Sequence, residues 1–211
     1  TFETARDVVI TAVPLDRCFS YFDDTYTDNS RYTNQAGDGS FEGPLATPEE
    51  TTPETWMSSG PWAISGLRSL TGESALHFGL PDGSGLALPG ESAEGTLLSP
   101  VIDVPEDNPR WRFALWLATE WDLAPSSDNP AGIDLLEALV LADVPIALAP
   151  AVAWDARELG GTTLGKWVEV TIDLTPWRGR SVRLGWRFAT GDADANEAEG
   201  VYIDQAVVFR A

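Results

Sequence analysis

The sequence predicts an all-β sandwich. Three observations carry that expectation. Segments 111–118, 167–174 and 181–189 alternate with a period of two, the pattern of half-buried strands. Further short apolar runs are separated by Gly and Pro punctuation. The chain has 211 residues and 43% hydrophobic content, enough for one sizeable core.

The elements follow in chain order. Residues 1–17 read as an N-terminal strand or leader segment around VVITAVPL. Their start, TFETARDVVITAV, lacks the basic residues and long apolar stretch of a secretory signal, as a mature or excised piece would. Residues 18–211 form the expected sandwich. Within it FDDTY (22–26) is a candidate first strand, and the polar stretch 24–55 is an irregular insertion. TWMSSGPWAIS (55–65), SALHFG (74–79) and AEGTLLSPVID (93–103) read as short strands. In 111–118, Trp111, Phe113, Leu115 and Leu117 share one face. The segment 133–150 has helix-compatible Leu and Ala, but Pro145 and its surroundings favour two strands. In 167–174, Val168, Val170, Ile172 and Leu174 oppose Glu169, Thr171 and Asp173. In 181–189, Val182, Leu184, Trp186 and Phe188 oppose Arg183 and Arg187. TPWRGR (175–180) connects the last two as a turn, which suggests antiparallel neighbours.

Charge narrows the function classes. Asp and Glu number 33 against 13 Lys and Arg, a net of -20. Such a field repels phosphate backbones and anionic lipid heads, so nucleic acid and membrane surfaces are disfavoured partners. No apolar run approaches the ~18 residues of a membrane helix. Cys18 stands alone, which excludes an internal disulfide, and His77 is the single histidine, which excludes Cys/His zinc sites. His77 also has no Gly-x-Ser-x-Gly near it, so a Ser-His-Asp triad is disfavoured. A polysaccharide-acting hydrolase or lyase would need a carboxylate pair that 33 acids make impossible to single out. The chain therefore reads as non-catalytic.

The closing stretch EGVYIDQAVVF (199–209) raises the sharpest question. Tyr202, Asp204, Ala206 and Val208 fall on one face; Val201, Ile203, Gln205, Val207 and Phe209 fall on the other. Both faces are largely apolar, so the strand is central and covered on both sides. A buried carboxylate at Asp204 then needs a partner. Three remain open: a calcium ion shared with oxygens from 22–26, an arginine such as Arg183 or Arg187, or N–H groups and hydroxyls at a bulge.

The order WAIS, SALHFG, AEGTLLSPVID, a Trp-rich strand ending in TEWD, WVEVTIDLTPWRGRSVRLGWRF and EGVYIDQAVVF resembles the MAM-like jelly-roll module of bacterial secreted proteins, as in the C-terminal region of immune-inhibitor-type metalloproteases. The resemblance implies a two-sheet antiparallel jelly roll, part of a larger extracellular or cell-surface bacterial protein. It implies a structural calcium, matched here by Asp23 or Asp24, Glu73 or Ser74, and Asp204. It implies no activity. Two positions depart from the family's Glu-Gly-Trp-Tyr-Ile-Asp-Asp-Val: Val201 replaces the tryptophan, and Gln205 replaces the second aspartate.

Two further groups are candidates. In GDADANEAEG (191–200), Asp192, Asp194 and Asn196 have the spacing that opens an EF-hand, but Glu197 and Ile203 replace its Gly and closing Glu; two readings remain, a solvated hairpin loop or a loop carrying a weak, exposed cation site. The nine tryptophans could serve as sugar platforms if exposed. Trp121 and Trp177, with Glu120 and Asp122 at a strand end, are the candidate ligand-binding residues. The expected function is a non-catalytic binding, adhesion or accessory module with a protein or glycan partner. A carbohydrate-binding domain using exposed Trp is the alternative.

Overall fold

The computed structural model of the chain describes residues 9–12, 41, 56–123, 133–143 and 149–211. The strands of these residues are, in chain order, β1 (Val9–Ala12), β2 (Met57–Ser58), β3 (Trp62–Ser65), β4 (Ala75–Phe78), β5 (Glu94–Leu98), β6 (Ile102–Asp103), β7 (Pro109–Ala118), β8 (Leu135–Ala142), β9 (Ala151–Asp155), β10 (Val168–Asp173), β11 (Ser181–Ala189) and β12 (Gly200–Arg210). One short helix, α1 (Glu120–Leu123), follows β7, and 3-10 turns lie at Ala156–Leu159 and Thr175–Trp177.

The strands form two antiparallel sheets. The first has the order β1-β10-β7-β12-β4-β3, and the second β2-β5-β11-β8-β9, with β6 also on β11. From β4 onward, leaving β6 aside, the chain visits first, second, first, second, second, first, second, first. That is the eight-strand path of a jelly roll. β1 and β3 extend the first sheet at its two edges, and β2 extends the second.

Alternation explains the core. The inward residues of β7, Trp111, Phe113, Leu115 and Leu117, meet Trp186, Phe188 and Leu184 of β11. Trp186 is the keystone. It stacks on Trp56 at 6.0 Å, tilts against Trp111 at 5.2 Å and meets Phe113 edge-on at 5.3 Å. Phe78 and Phe188 join the sheets again at 4.7 Å. Each such pair adds about 1 kcal/mol beyond the area it buries.

Several sequence expectations need correction. β10 and β11 are not neighbours; each lies in a different sheet, and the turn at Thr175–Trp177 carries the chain across. The stretches 55–65 and 93–103 each hold two strands rather than one, split at Gly60-Pro61 and at Ser99-Pro100. Within 133–150 only β8 is found among the described residues; the next strand, β9, starts at Ala151, beyond the predicted limit. Of the two readings of residues 1–17, strand or leader, the described part is a strand: β1 lies at an edge of the first sheet, paired with β10 from Val9↔Thr171 to Ala12↔Val168. The loop 191–199 links strands of different sheets, so it is no hairpin. FDDTY, Cys18 and the insertion, apart from Phe41, lie outside the described residues.

At Gly185 the backbone of β5 lies close against β11. A Cβ there would overlap the Leu97 carbonyl and the Leu98 Cα. Gly185→Ala is expected to cost about 3 kcal/mol, as forced overpacking does, read as a lower urea midpoint with an unchanged m-value.

Candidate functional site

Asp204 is fully buried on the central strand β12, between β7 and β4. The strand is bulged there. Asp204 pairs with Ala114, but the next register partner is Val207 with Arg112, so Gln205 and Ala206 together face one residue. Gln205 has φ 53, in the left-handed region. The bulge moves the alternation by one. Val201 and Ile203 enter the core before it, and Val208 after it, with Ala206 packed alongside. The sequence reading that placed Asp204, Ala206 and Val208 on one face therefore fails past Asp204. Asp204 itself lies on the face turned away from the core.

That outer face is roofed by the segment 66–74. Asp204 Oδ2 accepts the backbone N–H groups of Leu70 at 2.8 Å and Thr71 at 3.1 Å. Oδ1 accepts the Gln205 N–H at 2.7 Å and its side-chain Nε2 at 3.4 Å. The same Nε2 donates to Thr71 Oγ1 at 2.6 Å. Burial pushes the Asp204 carboxyl up to about 6, against the pull of these donors. Of the three partners the sequence left open, N–H groups at a bulge are the ones present among the described residues. Arg183 and Arg187 lie in the other sheet, where Arg183 donates to Ser99 O and Arg187 pairs with Glu137.

Of the expected calcium ligands, Glu73, Ser74 and Asp204 fall among the described residues. Asp23 and Asp24 lie outside the described residues. Glu73 is exposed, and Ser74 Oγ donates to the Phe41 carbonyl at 2.7 Å. A carboxylate offers about four lone-pair positions, and Asp204 accepts four N–H donors. An ion there would have to displace one of them. Gln205, in place of the second aspartate, supplies two of the four.

A second cluster continues the roof. Arg68 makes a bidentate pair with Glu199 at 2.6 and 2.7 Å and covers the Trp116 ring at 4.1 Å. Trp116 meets Tyr202 edge-on, and Tyr202 stacks on His77 at 4.3 Å. His77 Nε2 faces the Glu199 carbonyl at 3.2 Å. Burial lowers the His77 pKa below its ordinary value, so the ring is neutral at pH 7. The chain's single histidine is thus a wall element, tied to main chain and ring.

A third group lies at the rim where β7 and β11 end and β8 and β12 begin; the sequence reading named its Glu120 and Asp192 but missed Asp134. Asp134, just before β8, accepts the Glu120 N–H on Oδ2 at 3.0 Å and so caps α1. Burial drives the Asp134 carboxyl up to about 7, and Glu120 and Asp192 push the same way. Burial raises Glu120 as well, with Asp192 adding to it. Asp122 lies in α1 between Trp121 and Leu123. Asp134 carried no motif; its only sequence signal was an acid abutting the apolar run of β8.

Most of the tryptophans are core residues. Trp56, Trp62, Trp111, Trp116, Trp154 and Trp186 are buried, and Trp121, Trp167 and Trp177 are half-buried. Trp177 packs on the core, and the Trp121 ring lies against Gly161, where a Cβ would overlap it.

No family model matches the chain, and no curated protein matches it. Solved structures are similar in fold. The K2 cleaved adhesin domain of Lys-gingipain aligns with a TM-score of 0.48 and 18% identity, over 82% of this chain and 97% of that one. The K1 cleaved adhesin domain of Lys-gingipain from Porphyromonas gingivalis W83 aligns at 0.44 and 12%, over 77% and 95%. TmCBM61, solved in complex with beta-1,4-galactotriose, aligns at 0.44 and 14%, over 75% and 90%. These are likenesses of fold alone.

Two outcomes follow for Asp204. Asp204→Ala would leave the Leu70 and Thr71 N–H groups without their acceptor, and is expected to cost about 3 kcal/mol in denaturant unfolding. The pH dependence has a definite sign. A folded pKa of about 6 lies above the ordinary 3.8, so the unfolded chain loses this proton first. Stability from this group therefore falls as pH rises from about 4 to about 6, and is flat above. The difference in unfolding free energy between wild type and Asp204→Asn should show that slope.

Proposed function

We propose that this chain is a non-catalytic binding or adhesion module, MAM-like in kind, of an extracellular or surface bacterial protein, with a protein or glycan partner. One observation carries the reading: the polar side chains that chemistry would need are used to close the sandwich. His77 is stacked on Tyr202 and bound to main chain. Asp204 holds Leu70 and Thr71, and Glu199 holds Arg68. The raised carboxyls Glu120 and Asp134 are buried, and one caps the helix of the other. A general acid must reach the bond it protonates, and little of these two side chains reaches the surface. What a ligand can meet at that rim is the half-buried Trp121 and the acidic loop 191–199.

A calcium ion fastening the first strand to the last is a second reading. The burial of Asp204 in a chain of net charge -20 favours it. It rests on Asp23 or Asp24 and on Asp204 giving up an N–H donor.

Binding of the purified chain to glycan and host-protein arrays tests the first reading. The expected result is selective binding, weakened at least tenfold by Trp121→Ala, with no new reducing ends from any polysaccharide. Polysaccharide cleavage that disappears in Glu120→Gln would instead establish a hydrolase.

A further inference from the structure

The rim cluster contains buried acceptors that nothing in the described structure satisfies. Glu120 is 7% exposed, and its Oε1 is buried with no hydrogen-bond partner. Asn196 is 4% exposed; its Nδ2 donates to the Glu91 and Asp192 carbonyls, while its Oδ1 is buried without a partner. Asp134 is 2% exposed and receives one N–H, from Glu120. Asp192, in the same loop as Asn196, repels both Glu120 and Asp134.

The stretches 119–134 and 189–200 contain no Lys or Arg. Among the described residues, each salt bridge of an arginine is to another acid: Glu199, Asp173, Glu169, Asp155 or Glu137. An ionised carboxylate held out of water without a counter-charge costs several kcal/mol. Two carboxylates side by side cost more.

We propose that Glu120 and Asp134 bind a hard divalent cation of the calcium class at this rim, pinning the start of α1 to the start of β8. The ligand chemistry follows from the donors: carboxylate oxygens and water suit Ca²⁺ and not a soft metal. Among the described residues no three acidic side chains converge to hold a metal. The ion is therefore held by two carboxylates and water, with Asp192 acting through its field. Such a site belongs with the weak, millimolar calcium sites of extracellular modules. It is separate from Asp204, whose oxygens face N–H donors on the outer face of the first sheet.

The test uses the whole chain and calcium itself, with terbium as a luminescent substitute. Trp121, next to Glu120, is the donor that would sensitise bound terbium. The expected result is a melting temperature that rises by a few degrees between chelator and about 10 mM calcium, and Trp-sensitised terbium emission displaced by calcium. Glu120→Gln should lose both responses, yet melt no lower than wild type in chelator, because it removes a buried charge without changing shape. Asp134→Asn should also lose the calcium shift, and Asp204→Asn should keep it. A wild type with no calcium shift, or a shift and emission that survive in Glu120→Gln, would overturn the proposal.

Discussion

One buried carboxylate organises the outer face of the first sheet. Asp204 sits where β12 bulges, and its two oxygens gather N–H groups from Leu70, Thr71 and Gln205. The bulge is what makes this possible. It places Gln205 in a left-handed conformation, which turns both its N–H and its side-chain amide toward Oδ1. The segment 66–74 is thereby fastened across more than 130 residues of chain. Once fastened, it brings Arg68 over Trp116 and against Glu199, and the aromatic layer of Trp116, Tyr202 and His77 is closed. A low local dielectric strengthens each of these hydrogen bonds and raises the cost of losing any one.

The acids of this chain fall into different physical situations. Asp204 is buried among donors. Glu199, Asp155 and Glu137 are half-buried or buried and paired with arginine. Glu120 and Asp134 are buried beside another acid, with one N–H between them. Of these three arrangements the last leaves charge that none of the arginine salt bridges among the described residues offsets, which is why the proposed cation is placed at the rim. The net charge of -20 makes the molecule attractive to cations generally, but burial selects the place.

Much of the architecture was legible in the sequence. Period two in β7, β10 and β11 identifies strands and core faces, because alternation is a direct consequence of the pleat. The burial of Asp204 was legible too, since both flanking faces are apolar. What was not legible depends on contacts distant in sequence. Nothing in TPWRGR distinguishes a hairpin from a crossing between sheets. The bulge at Gln205 breaks alternation without any glycine to announce it. The half-burial of Trp121 depends on Gly161, some 40 residues away along the chain. The pairing of Asp134 with Glu120 joins two strand ends that only the jelly-roll path brings together.

Amide hydrogen exchange at Leu70 and Thr71 tests the central claim most directly. If N–H donors hold Asp204, both amides stay protected with a chelator present, are indifferent to added calcium, and lose protection together in Asp204→Ala. Fast exchange of both amides in chelator, slowed by calcium, would show that a cation and not the bulge secures this carboxylate.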